Sequence, residues 1–515
     1  MSQRTRLRRL AAGFTAAALL LSGCAQGLKS AEQVKRPEDK PVVVGTGLRV
    51  QPVDPVAAVT SGEQAFVLAT YQRLLTLNPG TPFLKPDAAA ECMFLNEVTY
   101  SCSLRDGLTF SAGKRLRASD VKFSIERAMK LSEEGKVPGS SASQLRNIKQ
   151  VKTVEDNRVD FTLDHPDNGL GFALASPAAS IVDRAQFDED AVETEFEVTK
   201  GSGPYVMGSH DEDEVYLVRN NYYRGFHAPL MAPMVVKTLD GPEAVKQAMD
   251  AGTVDVLAEA VPNSELPALE GQINSNKDGT TDNGYTVTKV ENARNQQLLW
   301  NPKSPRREDA ALRQYVVQAT AGLRTQPSLM PERVTKTEKK LEKVPGVADT
   351  PPTQYFPVGQ GRAAAGASGE LTLGFDPRMP DAEPLAGKVK QALEAGPGEV
   401  TVTLAPNDEN ADLTLFDHHP FTDTPQGWLQ PWLDNPLPGQ EQTNLELMDS
   451  YGRSMNQTER DERLDKVQAK AAEDATFVPL TSEPETFWFG KDLTMWIDFQ
   501  YGPSYQLALW GINTL

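Results

Sequence analysis

The chain has 515 residues, with 52 Lys and Arg against 70 Asp and Glu, for a formal charge of −18. A field of that sign repels nucleic acid and excludes a duplex- or RNA-binding role. The length is enough for two or three domains with large cores.

Residues 1–23 open with Arg4, Arg6, Arg8 and Arg9, continue as an apolar run from Leu10 to Leu21, and end in Ser22-Gly23 before Cys24. The run falls short of the about 20 apolar residues that span a bilayer core of roughly 30 Å, so the order basic, apolar, small is that of a cleavable leader. A thiol preceded by small residues is what lipoprotein processing needs, which makes Cys24 the expected lipidation site and the cell membrane's outer face the expected location. Arg8-Arg9 leaves the export route open between the general secretory and twin-arginine pathways. Loss of the leader leaves 48 basic against 70 acidic residues. Residues 24–41 are rich in Lys, Glu, Gln and Pro and are expected to form a flexible tether.

Val42-Val43-Val44 predicts a first strand, and Ala65 to Leu75 carries apolar residues at helical spacing. Ala88 to Phe110 is expected to be a hairpin region, with Cys92 and Cys102 facing each other across its strands. Outside the cytosol that pair should oxidise, closing a short loop worth roughly 3 kcal/mol; two buried free thiols are the alternative. Ala118 to Met129 predicts a helix with Ser119 as N-cap and Val121, Ile125 and Ala128 on one face. Further helices are expected at Glu243 to Asp250, closed by Gly252, at Glu308 to Leu323 and at Thr458 to Ala472. Strands are expected at Glu214 to Val218, Met234 to Leu239, Glu370 to Phe375 and Val400 to Leu404, and a Pro/Gly/Ala-rich linker at Val344 to Gly369. Composition and pattern alone stop at a large α/β or α+β protein.

The ordered series Lys85-Pro86-Asp87-Ala88-Ala89, Ser103-Leu104-Arg105-Asp106-Gly107-Leu108-Thr109-Phe110 and Ala118-Ser119-Asp120-Val121-Lys122-Phe123-Ser124-Ile125-Glu126-Arg127-Ala128 resembles the signature region of family 5 solute-binding proteins. These are the oligopeptide-, dipeptide- and nickel-binding proteins of ABC importers. The likeness continues at Gly201-Ser202-Gly203-Pro204-Tyr205, Ala251-Gly252-Thr253-Val254-Asp255, Leu298-Leu299-Trp300-Asn301 and Val478-Pro479-Leu480. It covers about Val42 to Gly511, with a weak zone between Leu323 and Leu413.

The resemblance implies an α/β, two-lobed, periplasmic-binding-protein-like fold of type II, in the large cluster with an extra subdomain, and a ligand cleft between the lobes. Residues 42–60, 185–262 and 478–515 would form a discontinuous first lobe, 61–184 the extra subdomain attached to it, and 263–477 the second lobe. The implied role is a lipid-anchored, monomeric receptor that captures oligopeptides and delivers them to ABC permease subunits with their ATPases. A non-peptide solute, a metal chelate or a signalling role on the same fold are the alternatives. No cofactor and no metal are implied: His418-His419 are neighbours, and adjacent strand residues point to opposite faces.

Peptide-binding members of the family neutralise the peptide amine with an Asp in a loop of pattern Trp-x-Ala-Asp-Tyr-x-x-Pro. The matching loop here, Phe416 to Pro425, departs from it: Phe421 stands for the aromatic, Pro420 falls where the Asp is expected, and Asp417 or Asp423 would substitute after a register shift. His418 lies in the same loop, while Tyr71, Trp300 and Asn301 fall where the resemblance brings the chain close to the cleft. Trp428 and Trp432, four apart on a helix, share a face that either packs in the core or faces ligand. No Gly-x-Ser-x-Gly elbow and no His-Glu-x-x-His helix occurs, and Ser111-Ala112-Gly113-Lys114 matches Ser-x-x-Lys only in a turn, so no catalytic residues are expected.

Overall fold

The computed structural model describes residues 40–47, 50–77, 83–196, 201–258, 260–325, 328–331, 334, 355–356, 358–359, 367–420, 422–454, 456–490, 492–495 and 508–514. The leader, Cys24, nearly all of the tether, Phe421 and most of the Val344 to Gly369 stretch lie outside these residues.

Two strands of unusual length dominate the fold. Tyr285–Trp300 and Phe477–Gly490 run antiparallel through the middle of a ten-stranded sheet. On one side Phe487–Phe489 pairs with Val256–Ala258, which leads to Val42–Thr46, Met234–Thr238, Glu214–Arg219 and Tyr205–His210. On the other, Asn295 to Trp300 pairs with Leu413–His418, followed by Ser368–Phe375 and Glu399–Pro406. The long strands therefore belong to both halves, and their pairing shifts register between Val290 and Arg294, at the crossing. A shift of this kind bends a strand locally and interrupts its ladder.

Each half carries a parallel crossover. In the first, Met234–Thr238 connects to Val256–Ala258 through the helix Gly241–Ala251, ended by Gly252 in the left-handed region at φ 59°. In the second, Ser368–Phe375 connects to Glu399–Pro406 through Ala382–Glu394. A separate four-stranded antiparallel sheet (Ala89–Asn96, Thr99–Leu104, Arg158–Leu163, Ile148–Val154) packs with the helix Ala118–Glu133 around a core of its own, including Phe110, Val121, Ile125 and Phe161. Cys92 and Cys102 are directly opposite in its outer hairpin and are joined as a disulfide.

Local chemistry moves three expected boundaries. The helix expected from Ala65 to Leu75 is Ser61–Thr70, because Thr60 and Glu63 form a reciprocal capping box at its start and Tyr71 is extended at its end. Leu75 instead begins a short strand, so its apolar neighbours belong to two elements. Ser119 is not the N-cap of Ala118–Glu133: Arg117 holds that position and its N–H donates to the Asp120 carboxylate at 2.9 Å. Glu308 to Leu323 is an α-helix only over Ala310–Ala319, capped by the Asp309 carboxylate and flanked by 3-10 turns.

The Gly201 to Tyr205 motif is explained by close backbone approach. Gly203 N donates to Thr70 O at 3.0 Å and Gly203 O accepts from the Asn220 side chain at 2.8 Å. A Cβ on Gly203 would lie 2.4 Å from the Thr70 carbonyl carbon, a backbone atom with no room to move. Gly203→Ala is therefore expected to cost about 3 kcal/mol, at the top of the overpacking range, read as a lower denaturant midpoint with unchanged slope.

Candidate functional site

Strand register brings a charged cluster together at the crossing of the halves. Gln296 lies opposite Asp417, and residues two apart share a face, so Arg294, Asp417 and His419 meet on one side of the sheet. The Arg294 guanidinium pairs with Asp417, and its Nε is 3.6 Å from Glu485 Oε2 on the second long strand. His419 Nε2 is 3.6 Å from Asp417 Oδ2 and its Nδ1 is 3.9 Å from Glu485 Oε2. All four side chains are buried, none more than 12 % exposed. Burial by itself raises the Asp417 pKa, but Arg294 and His419 outweigh it and hold the carboxyl below its usual range. Two carboxylates thus share one guanidinium and one imidazole in a low-dielectric setting where unpaired charge is costly.

The other face of the same strand end is anchored differently. The His418 ring lies 3.0 Å through Nε2 from Gly427 O and stands edge-on to Trp428, and burial pushes its pKa down to about 4. Neutral His418 then donates from Nε2 to that carbonyl. Thr424 caps the helix Pro425–Leu433, and Trp428 Nε1 donates to Asp423 Oδ1 at 2.9 Å. Asp417, His418, Asp423 and Trp428 are thus gathered at one strand end, the loop after it and the helix that follows.

The remaining expected ligand residues are engaged inside their own half. Tyr71 packs edge-on against Phe187, and burial, reinforced by Asp54, raises its phenol pKa. Trp300 is fully buried in the main core. Asn301 donates to Glu409 O at 3.1 Å and Ala411 O at 3.0 Å, tying a turn, and Trp432 Nε1 donates to Asp474 Oδ2 at 2.9 Å. Lys114 of the Ser-x-x-Lys match pairs with Asp183. Arg294 and Glu485 escaped sequence reasoning, because other charged residues stand close to each on its own strand and nothing local singles either one out. Among the described residues no group of three or more His, Cys, Asp or Glu is placed to hold a metal ion, and no helix is long and apolar enough to cross a membrane.

Away from the crossing, the part built on the four-stranded sheet touches the second half. Arg146 Nη2 donates to Asp449 Oδ1 at 2.6 Å, and His165 Nε2 lies 3.4 Å from Asp449 Oδ2. Gln144 donates to Gln430 at 3.0 Å and Gln430 donates to Ser143 Oγ at 2.9 Å. These polar contacts form a seam with a cavity beside it.

Comparison with known proteins agrees with this architecture. The family described as bacterial extracellular solute-binding proteins, family 5 (middle region), matches residues 85–319. A probable D,D-dipeptide-binding periplasmic protein, DdpA of Escherichia coli K12, is 25% identical over 239 residues, 44% of this chain and 45% of that protein. The match thus spans less than half of that relative's length. Among solved structures, DppA from Helicobacter pylori in complex with the peptide STSA is similar with a TM-score of 0.72 at 15% identity, over 92% of this chain and 98% of that one. AgaA from A. tumefaciens R10 in complex with agropinic acid is similar with a TM-score of 0.75 at 17% identity, over 92% and 99%. These likenesses show the fold, that of the type II periplasmic binding proteins with mixed α/β sheets.

Proposed function

This chain belongs to the family 5 extracellular solute-binding proteins of ABC importers, and from that premise we propose that it captures oligopeptides between its two halves for delivery to a membrane permease. The hinge cluster is the observation that carries this reading. Asp417 and Glu485 bring two negative charges to one guanidinium at the only place where both halves share strands among the described residues. With His419 neutral, Asp417 and Glu485 hold one negative charge beyond that of Arg294 for a peptide ammonium to pair with, and strand backbone beside it offers hydrogen bonds to an extended chain.

Closure follows from the same geometry. The two long strands link the halves at their register shift, and a ligand touching both halves favours the closed state only by its unequal affinity for closed and open forms. The mature protein would be held at the outer face of the membrane by a lipid on Cys24, as a monomer, with residues 24–41 as tether. ATP hydrolysis would belong to partner subunits.

Native mass spectrometry of the mature protein, followed by denaturing release, tests the cargo. Peptides of mixed sequence are expected. Release of a single non-peptide solute, such as an amino-acid–sugar conjugate, would keep the receptor and replace its cargo. Intact-mass analysis of the membrane fraction tests the anchor, with a diacylglyceryl adduct on Cys24 as the expected result.

A further inference from the structure

Acidic charge is unevenly spread over the chain. From Arg219 to Leu239 there is no Asp or Glu, in a sequence with 70 of them among 515 residues, while Arg219, Arg224 and Lys237 fall inside the stretch. Its first part is the loop between the strands Glu214–Arg219 and Met234–Thr238, whose residues alternate in burial. Tyr223 and His227 are turned inward: Tyr223 Oη donates to Asp87 Oδ1 at 2.8 Å and accepts from His227 N at 2.8 Å. Leu230 N donates to Trp510 O at 3.2 Å. These anchors hold the side chains between them outward, so that Tyr222, Phe226 and Leu230 are 53, 43 and 36 % exposed, with Arg219 and Arg224 exposed beside them.

Both guanidinium groups keep their charge. Arg219 Nη2 donates to Leu230 O at 3.3 Å, and Arg224 Nη1 donates to Asn221 O at 3.2 Å and Tyr223 O at 2.8 Å. Carbonyls do not neutralise a cation, and neither arginine pairs with a carboxylate among the described residues. The acidic turn Asp211 to Glu214 lies at the other end of the sheet: Glu214 stands opposite Lys237 and pairs with it, whereas Arg219 stands opposite Tyr205. The strand between Glu214 and Arg219 is about 17 Å long, beyond the screening length of about 8 Å at physiological salt.

The incoming chain arrives at this same end. Val42–Thr46 runs parallel to Met234–Thr238, with Val42 opposite Met234 and Val42 N donating to Pro233 O at 3.0 Å. Leu230 is three residues from that contact, at most about 10 Å along the chain. Cys24 is 18 residues before Val42, a reach of at most about 60 Å. A lipid on Cys24 therefore keeps a membrane surface within range of the exposed loop.

We propose that Tyr222, Phe226 and Leu230, with Arg219 and Arg224, form a docking face for an anionic lipid surface. The rings and the leucine sit at headgroup level, where amphipathic and apolar side chains are favoured, and the guanidinium groups pair with phosphates. The face rests on the lipid-anchor reading for its membrane neighbour and adds an orientation to it. Anchoring raises the effective concentration of the face at the surface, so weak docking is enough to turn this end of the sheet toward the bilayer.

Phe226→Trp reports the contact while keeping an aromatic ring on the face. Cys24 is the one cysteine outside the Cys92–Cys102 disulfide, so a maleimide lipid attaches the mature chain to vesicles there, whether or not the cell lipidates it. On vesicles of phosphatidylglycerol and phosphatidylcholine with brominated acyl chains, Phe226→Trp is expected to be quenched well above the parent protein, and on phosphatidylcholine alone much less. Adding Arg219→Gln and Arg224→Gln is expected to lower the docked-to-free ratio about thirtyfold. Adding Tyr222→Ser and Leu230→Ser instead is expected to abolish the extra quenching, again in proteins with the wild-type unfolding midpoint. Quenching of Phe226→Trp no greater than the parent's on the anionic vesicles, or equal on neutral and anionic ones, overturns the proposal. Strong quenching here, in a protein that carries no diacylglyceryl adduct when isolated from cells, would support the face and sink the anchor reading alone.

Discussion

Replacing Arg127 by alanine is expected to destabilise the protein by about 3–5 kcal/mol, the cost of stranding a buried partner charge. Arg127 projects from the helix Ala118–Glu133 and donates from Nη1 and Nη2 to the two Asp54 oxygens at 3.1 and 2.5 Å. The side chains of this pair are only 3 % and 0 % exposed. The remaining donors reach Asp188 O at 2.6 Å and Ala191 O at 2.5 Å, and the guanidinium lies over the Phe187 ring. Asp54 in turn accepts from Val56 N at 3.2 Å and Glu193 N at 2.9 Å. One side chain therefore ties three chain segments together. Chemical denaturation of the single variant should show the loss, and Arg127→Met combined with Asp54→Leu should recover part of it, because removing both charges avoids the unpaired carboxylate. Equal destabilisation by the single and double variants would mean that packing, not charge, sets the cost.

Acidification from pH 7 to pH 5 is expected to remove about 4 kcal/mol of stability through two buried histidines. Burial, with Arg73 adding to it, lowers the His227 pKa to about 3, and burial lowers that of His418 to about 4. His227 lies between Thr76 Oγ1, at 2.9 Å from its Nε2, and the Trp510 ring, at 4.4 Å between centroids. With both folded values below the ordinary 6.5, the unfolded chain binds the extra protons, so stability is greatest above about 6.5 and falls as pH drops toward 4. At pH 5 each histidine contributes about 2 kcal/mol of this loss. Asp417 acts in the same direction at lower pH, since its depressed folded pKa gives stability that disappears only as pH falls through the acidic carboxylate range. Unfolding free energy measured from pH 7 to 5 should follow this slope, and a His227→Gln, His418→Gln double variant should flatten it. A wild-type slope unchanged in that variant would assign the acid sensitivity elsewhere.

Local chemistry made much of the fold legible from residues alone. The helix closed by Gly252, the strands at Glu214, Met234, Glu370 and Val400, and the facing of Cys92 and Cys102 all follow from periodicity, turn residues and short-range pairing. Ordered motifs carried the family, and several of them are packing devices: Gly203 against Thr70, and Arg127 on Asp54. Helix ends were less legible, since Arg117 and Thr60 cap through partners three residues away that compete with better-looking candidates.

By itself the sequence determined an α/β pattern, a resemblance to one family and most of its elements, because these depend on composition and on neighbours within a few residues. Only the tertiary structure decided which side chains meet at the crossing. Arg294 and Glu485 come from the two long strands and Asp417 and His419 from the end of a third, with more than a hundred residues from Arg294 to Asp417 and more than sixty from His419 to Glu485, and their meeting depends on the register shift between Val290 and Arg294. Slipping a strand by one residue exchanges its faces, so no local pattern specifies such a cluster. The burial of Trp300 and Trp432 and the enclosure of the seam cavity have the same origin: they depend on what long-range packing sets opposite each residue.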